Sequence, residues 1–437
     1  MSIAFTDFAG KDYTPGNYMK GIADEYIAQV HSIIEINRSI IPELVARKED
    51  ELSGIGDEIL DKLSPEERTA SRKYLGQVKA GLGEILESEK WRDTPDFSIE
   101  MPNRGAGAAI GHLVMQLAYR AKAGSKDALL RKSLLVSAIS TFEVLFAQVA
   151  RTIYSVNTSS LNDSEHSFTL QELADFGTLD DAREYLIEKR VSTLLRESID
   201  GWEKWLKRSC GGVSMESFPV FWPLIRESFA RRNLLVHTGG VVNQLYLSVV
   251  AKLSIPDSAN IRAGVRLDVD EDYLDWVLQE LLALGHILIC TVGAKLYKKE
   301  GELFSQAAVF ASRDFSLWRA NHASKAVCNY ALSSQLSRKD EMMMRVRRWL
   351  SIKETEGLEG IRTEIEGWDT SGLGLPISHC KAVLLDDLNR SQEMVEKLIN
   401  QGDLSRFEVA VDPLYKKLLP HLSMNQQASP EESGSNE

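Results

Sequence analysis

The strongest constraint on the fold is an apolar stripe in the first half of the chain. Leu135, Ile139, Phe142, Phe146, Val149 and Ile153 step by 4, 3, 4, 3 and 4 residues. At 3.6 residues per turn that cadence keeps six large side chains on one face, so residues 126–155 must bury one side of a helix. A chain with such a helix folds by packing helices or by laying them on a sheet. The remaining periodic segments decide between the two.

Nearly all of them repeat at helical spacing. Met19, Ile22, Tyr26, Ile27, Val30, Ile33, Ile34 and Ile41 form a second stripe over 15–50. Ser64-Pro65 opens another helix, with serine as N-cap, proline at the first position and Glu67 three residues on. Residues 169–208 read as one or two helices, FPVFWPLIRESFARRNLLVH (218–237) as another, and Asp272 to Lys298 as a strong one carrying Leu274, Val277, Leu281, Leu284 and Leu288. Short helices over 315–422 are separated at Gly357, SGLGLP (371–376) and Gly402. Only VVNQLYLSVV (241–250) and AGVRLDVD (263–270) look strand-like. The expected fold is therefore all-α, with minor β pieces near 241–250 and 263–270.

Composition narrows the functional classes. The 437-residue chain is 43% hydrophobic and 26% charged, enough to bury a sizeable core. Its formal net charge of −12 argues against a protein that coats nucleic acid, since counterion release favours basic surfaces. Four dispersed cysteines, Cys210, Cys290, Cys328 and Cys380, form no metal-ligand cluster or disulfide framework, and His379-Cys380 lacks a second ligand pair. No metal or cofactor is expected. The N-terminus lacks the pattern of a signal peptide, and LLALGHILICTVGA (281–294) is shorter than the ~18 residues of a membrane span. A cytoplasmic protein without a membrane partner is expected. Gly105, Gly107 and Gly111 in GAGAAIGH lack the spacing and preceding strand of a dinucleotide-binding loop and read as a helix start.

The segment with the most chemistry is RRNLLVHTGG, residues 231–240. On a helix Asn233 and His237 share a face, while Arg232 and His237 project about 140° apart and converge only on an object at the helix edge. Leu234, Leu235 and Val236 are expected to anchor the helix, and Gly239-Gly240 to end it through a left-handed turn. An imidazole titrates near neutral pH and can move a proton. A guanidinium can hold a phosphodiester and stabilise charge as it develops. This set suits RNA cleavage by attack of its own 2′-hydroxyl, without a metal. A structural account competes with it: Glu227 pairs Arg231 at i, i+4, and His237 complements the helix C-terminus.

Arg232-Asn233-Leu-Leu-Val-His237 resembles the R-x4-6-H motif of the HEPN superfamily, with a polar residue directly after the arginine. LLVSAISTFEVLFAQVARTIY resembles the first helix of that bundle, including its glutamate at Glu143, and TLQELADFGTLDDAREYLIEKRVSTLL resembles the second. RRNLLVHTGGVVNQLYL is similar to the motif helix and its exit, and 264–298 to the closing helix, so the likeness spans roughly residues 126–300. It implies a central four- to five-helix bundle at 125–300, flanked by helical regions at 1–124 and 301–423 and a disordered tail at 424–437. It also implies a metal-independent endoribonuclease of a bacterial defence, antiviral or toxin-like stress system, cleaving at a site shared by a homodimer. In that reading Arg232 holds phosphate, His237 transfers a proton, Asn233 orients them and Glu143 supports them. RNA is the expected substrate, and an antitoxin or sensor protein the expected further partner. One departure matters: toxins paired with nucleotidyltransferase antitoxins carry tyrosine two residues after the histidine, where this chain has Gly239. Neutralisation by modifying that tyrosine is not expected here.

Other members of the superfamily are inactive binding modules, so a non-catalytic scaffold, or a regulator holding a nucleotide phosphate, stays open as the alternative. A second polar run, RKDEMMMRVRRWL (338–350), carries Arg345, Arg347 and Arg348 beside Trp349. Arginine next to an aromatic suits RNA backbone and bases, whereas Met342, Val346, Trp349 and Leu350 read as a buried stripe with the arginines on a solvated face. Trp318, Trp349 and Trp368 are expected in the core.

Overall fold

A computed structural model describes residues 14–46, 61–69, 126–157, 175–253 and 261–422, with isolated positions between 104 and 115 and at 173 and 255. The fold is all-α. The region 424–437 and most of the segment expected as a linker at 91–105 lie outside the described residues, while Gly107 and Gly111 take helical positions.

The stripe over 15–50 begins as helix α1, Pro15–Glu35, which Thr14 caps by accepting from the Asn17 N–H. It runs through a π turn at Ile36–Ile40 into further helix. The six-residue stripe from Leu135 to Ile153 lies on α2, Lys126–Val156, and all six side chains are fully buried. Two shorter helices follow: α3, Leu179–Leu194, and α4, Ile199–Ser209, each with a hydroxyl N-cap. The motif helix is α5, Trp222–Thr238, with proline in its first turn. Next come α6, Gln244–Val250, and α7, Glu271–Leu296. After them stand α8, Gly301–Leu317, α9, Asn321–Leu332, and α10, Arg338–Glu356, then shorter helices through residue 411. The breaks at Gly357 and Gly402 are both left-handed-φ glycines, and Gly374 within SGLGLP is the N-cap of the helix Leu375–Leu384.

Helix α7 is the axis of the molecule. It packs against α1, α2, α5, α8 and α9, which explains why it is apolar on every side. By length and composition α7 and α2 could each cross a membrane, more than the 14-residue stretch had suggested. In α7, 89% of that apolar window is buried inside the protein. Two glycines make the close packing possible: a Cβ at Gly285 would strike the Tyr26 ring of α1, and one at Gly293 would strike Phe304 of α8. The Tyr26 hydroxyl donates to the Leu281 carbonyl at 2.6 Å, so this contact is also polar.

One hydrophobic core runs without a break from Met19 to Met344. It crosses both expected boundaries, near 124 and near 300, because α1 on one side and α8 and α9 on the other cover α7. Smaller clusters beyond Val346 hold the C-terminal helices together. Trp349 is buried as expected, whereas Trp318 and Trp368 are half-buried.

The two strand-like segments reduce to one antiparallel bridge between Val241 and Arg266. The expected strand at 241–250 is mostly helix α6. Asn243 is the reason: its side chain accepts from the Tyr246 N–H at 2.9 Å and caps a helix. Seven apolar-rich residues do not show their period, so the cap decides.

Candidate functional site

The motif helix is fixed at both ends. At its start, Glu280 of α7 accepts from the Phe221 N–H at 2.8 Å and from the Trp276 indole at 3.1 Å. Burial raises the Glu280 carboxyl above its ordinary value, against the pull of those two donors. At its end, Gly239 adopts φ 62° and the Gly240 N–H returns to the Leu234 carbonyl at 3.0 Å, as expected for a glycine stop. Gly240 is needed for space as well as conformation. Its φ is 89°, and a Cβ there would lie 3.0 Å from the Leu267 carbonyl oxygen.

Behind the motif lies an aromatic node. Phe146 stacks on Trp202 with centroids 4.6 Å apart, and Phe229 meets both Trp202 and Phe142 edge to face. Phe142 precedes Glu143 and Phe229 lies one turn before Arg232. The node therefore aims these two polar groups at each other from different helices.

They meet. Arg232 Nη2 donates to both oxygens of Glu143 at 2.9 Å, and Nη1 donates to Asn233 Oδ1 at 3.2 Å. The pair is half-buried, with side chains 25% and 26% exposed. Desolvation raises the Glu143 carboxyl and the neighbouring Arg232 charge opposes that rise. Arg232 Nε is buried and makes no hydrogen bond among the described residues. The guanidinium is thus anchored through one terminal nitrogen, with Nε and part of Nη1 uncommitted. Asn233 and His237 are exposed one turn apart on the same helix face.

The expected anchoring by Leu234, Leu235 and Val236 needs correction. Leu234 is buried and Leu235 half-buried, but Val236 is 54% exposed. Val144, next to Glu143 on α2, is 57% exposed. The helix hangs on Leu234 and on Phe229, so Val236 is free to leave the core.

Arg231 is structural. Its Nε donates to Glu227 at 2.7 Å, its Nη1 to the Asp268 carbonyl at 3.0 Å, and its guanidinium lies 3.9 Å over the Tyr273 ring. Glu227, 2% exposed, also accepts from the hydroxyls of Tyr246 at 2.5 Å and Tyr273 at 2.6 Å. Burial works against the Arg231 charge, yet Tyr273 and Glu227 outweigh it and raise its pKa. One carboxylate thereby ties α5, α6 and α7. The Glu227–Arg231 spacing was visible in the sequence. The tyrosines were not, because Tyr246 sits in a segment that reads as strand.

The arginines of α10 do not form a shared surface. Arg345 pairs with Glu341 at 2.7 Å. Arg347 turns inward to the Val309 carbonyl and Ser312, where burial lowers its pKa. Arg348 holds Asn329 and Glu364. Met344, Val346, Trp349 and Leu350 form the buried stripe, with Met342 only half-buried. Arg345 and Arg348 are thus paired with carboxylates at the surface and Arg347 is turned inward, so the three do not present one basic face.

Among the described residues no group of three His, Cys, Asp or Glu side chains could hold a metal ion. His379 is bonded through Nδ1 to the Leu375 carbonyl and through Nε2 to the Tyr415 hydroxyl. Searches of family models, of curated proteins and of solved structures find no match to this chain.

Proposed function

We propose that the chain is a metal-independent endoribonuclease of HEPN type, acting in a bacterial defence or toxin-like stress system. The observation that carries this reading is the union of Glu143 with Arg232 across two helices, beside an exposed His237 on the same helix end. Glu143 sets the guanidinium plane. The uncommitted Nη1 side receives a phosphodiester and stabilises charge at phosphorus as the 2′-oxygen attacks. His237 moves the proton, either off the 2′-hydroxyl or onto the departing 5′-oxygen, and Asn233 orients Arg232 through its carbonyl. One imidazole performs one of those transfers, so a second copy of the chain supplies the other. The exposed Val144 and Val236 flank the motif and would seat that second copy. RNA is the substrate, the assembly a homodimer in the cytoplasm, and an antitoxin or sensor the further partner.

A second reading has its own observation. A half-buried guanidinium already paired with a carboxylate is also what a strut between α2 and α5 requires. In that case the motif face is a non-catalytic docking surface.

Incubating the full chain with total RNA in EDTA separates the two. Cleavage that leaves 2′,3′-cyclic phosphate ends, falling about 100-fold or more in Arg232→Ala and His237→Ala, supports the enzyme. Val236→Asp should lose cleavage together with the dimer. Intact RNA with wild-type dimer and variants alike supports the docking surface instead.

A further inference from the structure

Away from the motif, α1, α7 and α8 enclose a cavity of about 580 Å³, within the range of small-molecule sites. Its floor is apolar, made by Phe304, Ala307 and Ile289, and Phe310 stands at its edge with 58% of its surface exposed. Trp318 stacks on His31 at 3.8 Å and walls one end.

Two polar features there are incompletely paired among the described residues. His286 is 2% exposed; its Nε2 faces the Cys290 thiol at 3.5 Å, and its Nδ1 makes no hydrogen bond among the described residues. The Ala307 backbone beside the ring favours its protonated form, against burial. A buried polar atom left so is destabilising, a loss that a ligand can recover. Asp314 makes no ion pair among the described residues; burial raises its carboxyl, Arg313 and Arg347 pull it down, and Asp24 acts with burial. The nearby cation, Lys20, is already held by Asp24 at 2.5 Å. The cavity thus combines aromatic walls, a carboxylate without an ion pair at the edge and an imidazole with one free nitrogen at depth, among the described residues.

We propose that this cavity binds a small hydrophobic amine, with its ammonium group on Asp314, its apolar body against Phe304, Phe310 and Trp318, and a hydrogen-bonding group reaching His286 Nδ1. The ammonium pairs with Asp314 and gains from the adjacent aromatic faces, while an anion would meet Asp314 and a lysine already held by Asp24. This site stands apart from the ribonuclease reading.

Calorimetric titration of the full chain with 2-phenylethylamine, tyramine and tryptamine tests it, with 2-phenylethanol and 3-phenylpropionate as uncharged and anionic counterparts. Saturable binding of at least one amine, at least about tenfold tighter than either counterpart, is expected. Asp314→Asn, at an exposed position, should weaken that binding about tenfold with an unchanged circular dichroism spectrum. Phe310→Ala should also weaken it, and Arg232→Ala should leave it intact. Absence of saturable binding by all three amines overturns the proposal. So does equal binding of the counterparts, or indifference to Asp314→Asn.

Discussion

Glu227 and Glu143 show how much the surroundings of a carboxylate matter. Both lie beside an arginine of the same motif helix. Glu227 is buried and receives three donors from three helices. Glu143 is half-buried and holds one arginine. Removing Glu227 strands a buried guanidinium and two buried hydroxyls, so Glu227→Ala should cost ~3–5 kcal/mol. Glu143→Ala, partly screened by solvent, should cost only ~1 kcal/mol. Chemical denaturation of the two variants measures the difference. Equal losses would remove the case for Glu227 as the hub and leave Arg231 no more than a surface partner. The asymmetry also divides labour within the doublet: Arg231 holds the fold, and Arg232 is left for a ligand.

Helix α5 shows how an element is placed without strong amphipathicity of its own. Its position comes from its ends, a glutamate of α7 at the start and two glycines at the stop. Gly240 carries the sharper requirement, since its φ is 89° and the Leu267 carbonyl closes the space beside it. Gly240→Ala should destabilise the protein by ~1–3 kcal/mol through backbone strain and contact. Gly239→Asn, at φ 62° with no atom within 4 Å of a Cβ, should cost a few tenths. Thermal melts of both test this, and an Asn variant as damaged as the Ala one would contradict the assignment of separate roles. In RRNLLVHTGG the glycine stop was legible because left-handed closure is a local event. The outward turn of Val236 was not, because its exposure depends on what the neighbouring helices leave uncovered.

At the scale of the molecule, α7 couples the N-terminal helix, the bundle and the first C-terminal helices into one core. His286 at its middle is fully enclosed, and burial, reinforced by Lys20, lowers its pKa to about 4 from an ordinary 6.5. The sign follows from proton binding. Between those values the unfolded chain holds a proton that the folded chain does not, so stability is full above pH 6.5 and falls as the pH drops toward 4. The loss amounts to about 3 kcal/mol over that window. His286→Leu should flatten this part of the pH–stability curve in urea unfolding. A variant curve parallel to that of the wild type would contradict burial of a neutral imidazole. The same continuous core explains why the expected divisions near 124 and 300 do not divide the packing: apolar stripes reveal that a helix is covered, but not by what.

The sequence by itself determined the local events: the stripe of α2, the hydroxyl cap at Ser64, the stop at Gly239, the Glu227–Arg231 spacing and the all-α class. Each rests on contacts within about one helical turn, where spacing alone dictates geometry. It also singled out Arg232, Asn233, His237 and Glu143. Only the tertiary structure decided that Glu143 reaches Arg232 from 89 residues away, that Arg347 points inward, that Tyr246 and Tyr273 share Glu227, and that α1 closes a cavity over His286. Those outcomes depend on which helix faces which, and that choice follows from the close approach at Gly285 and Gly293 and from the shape of the whole core, not from the period of any one segment.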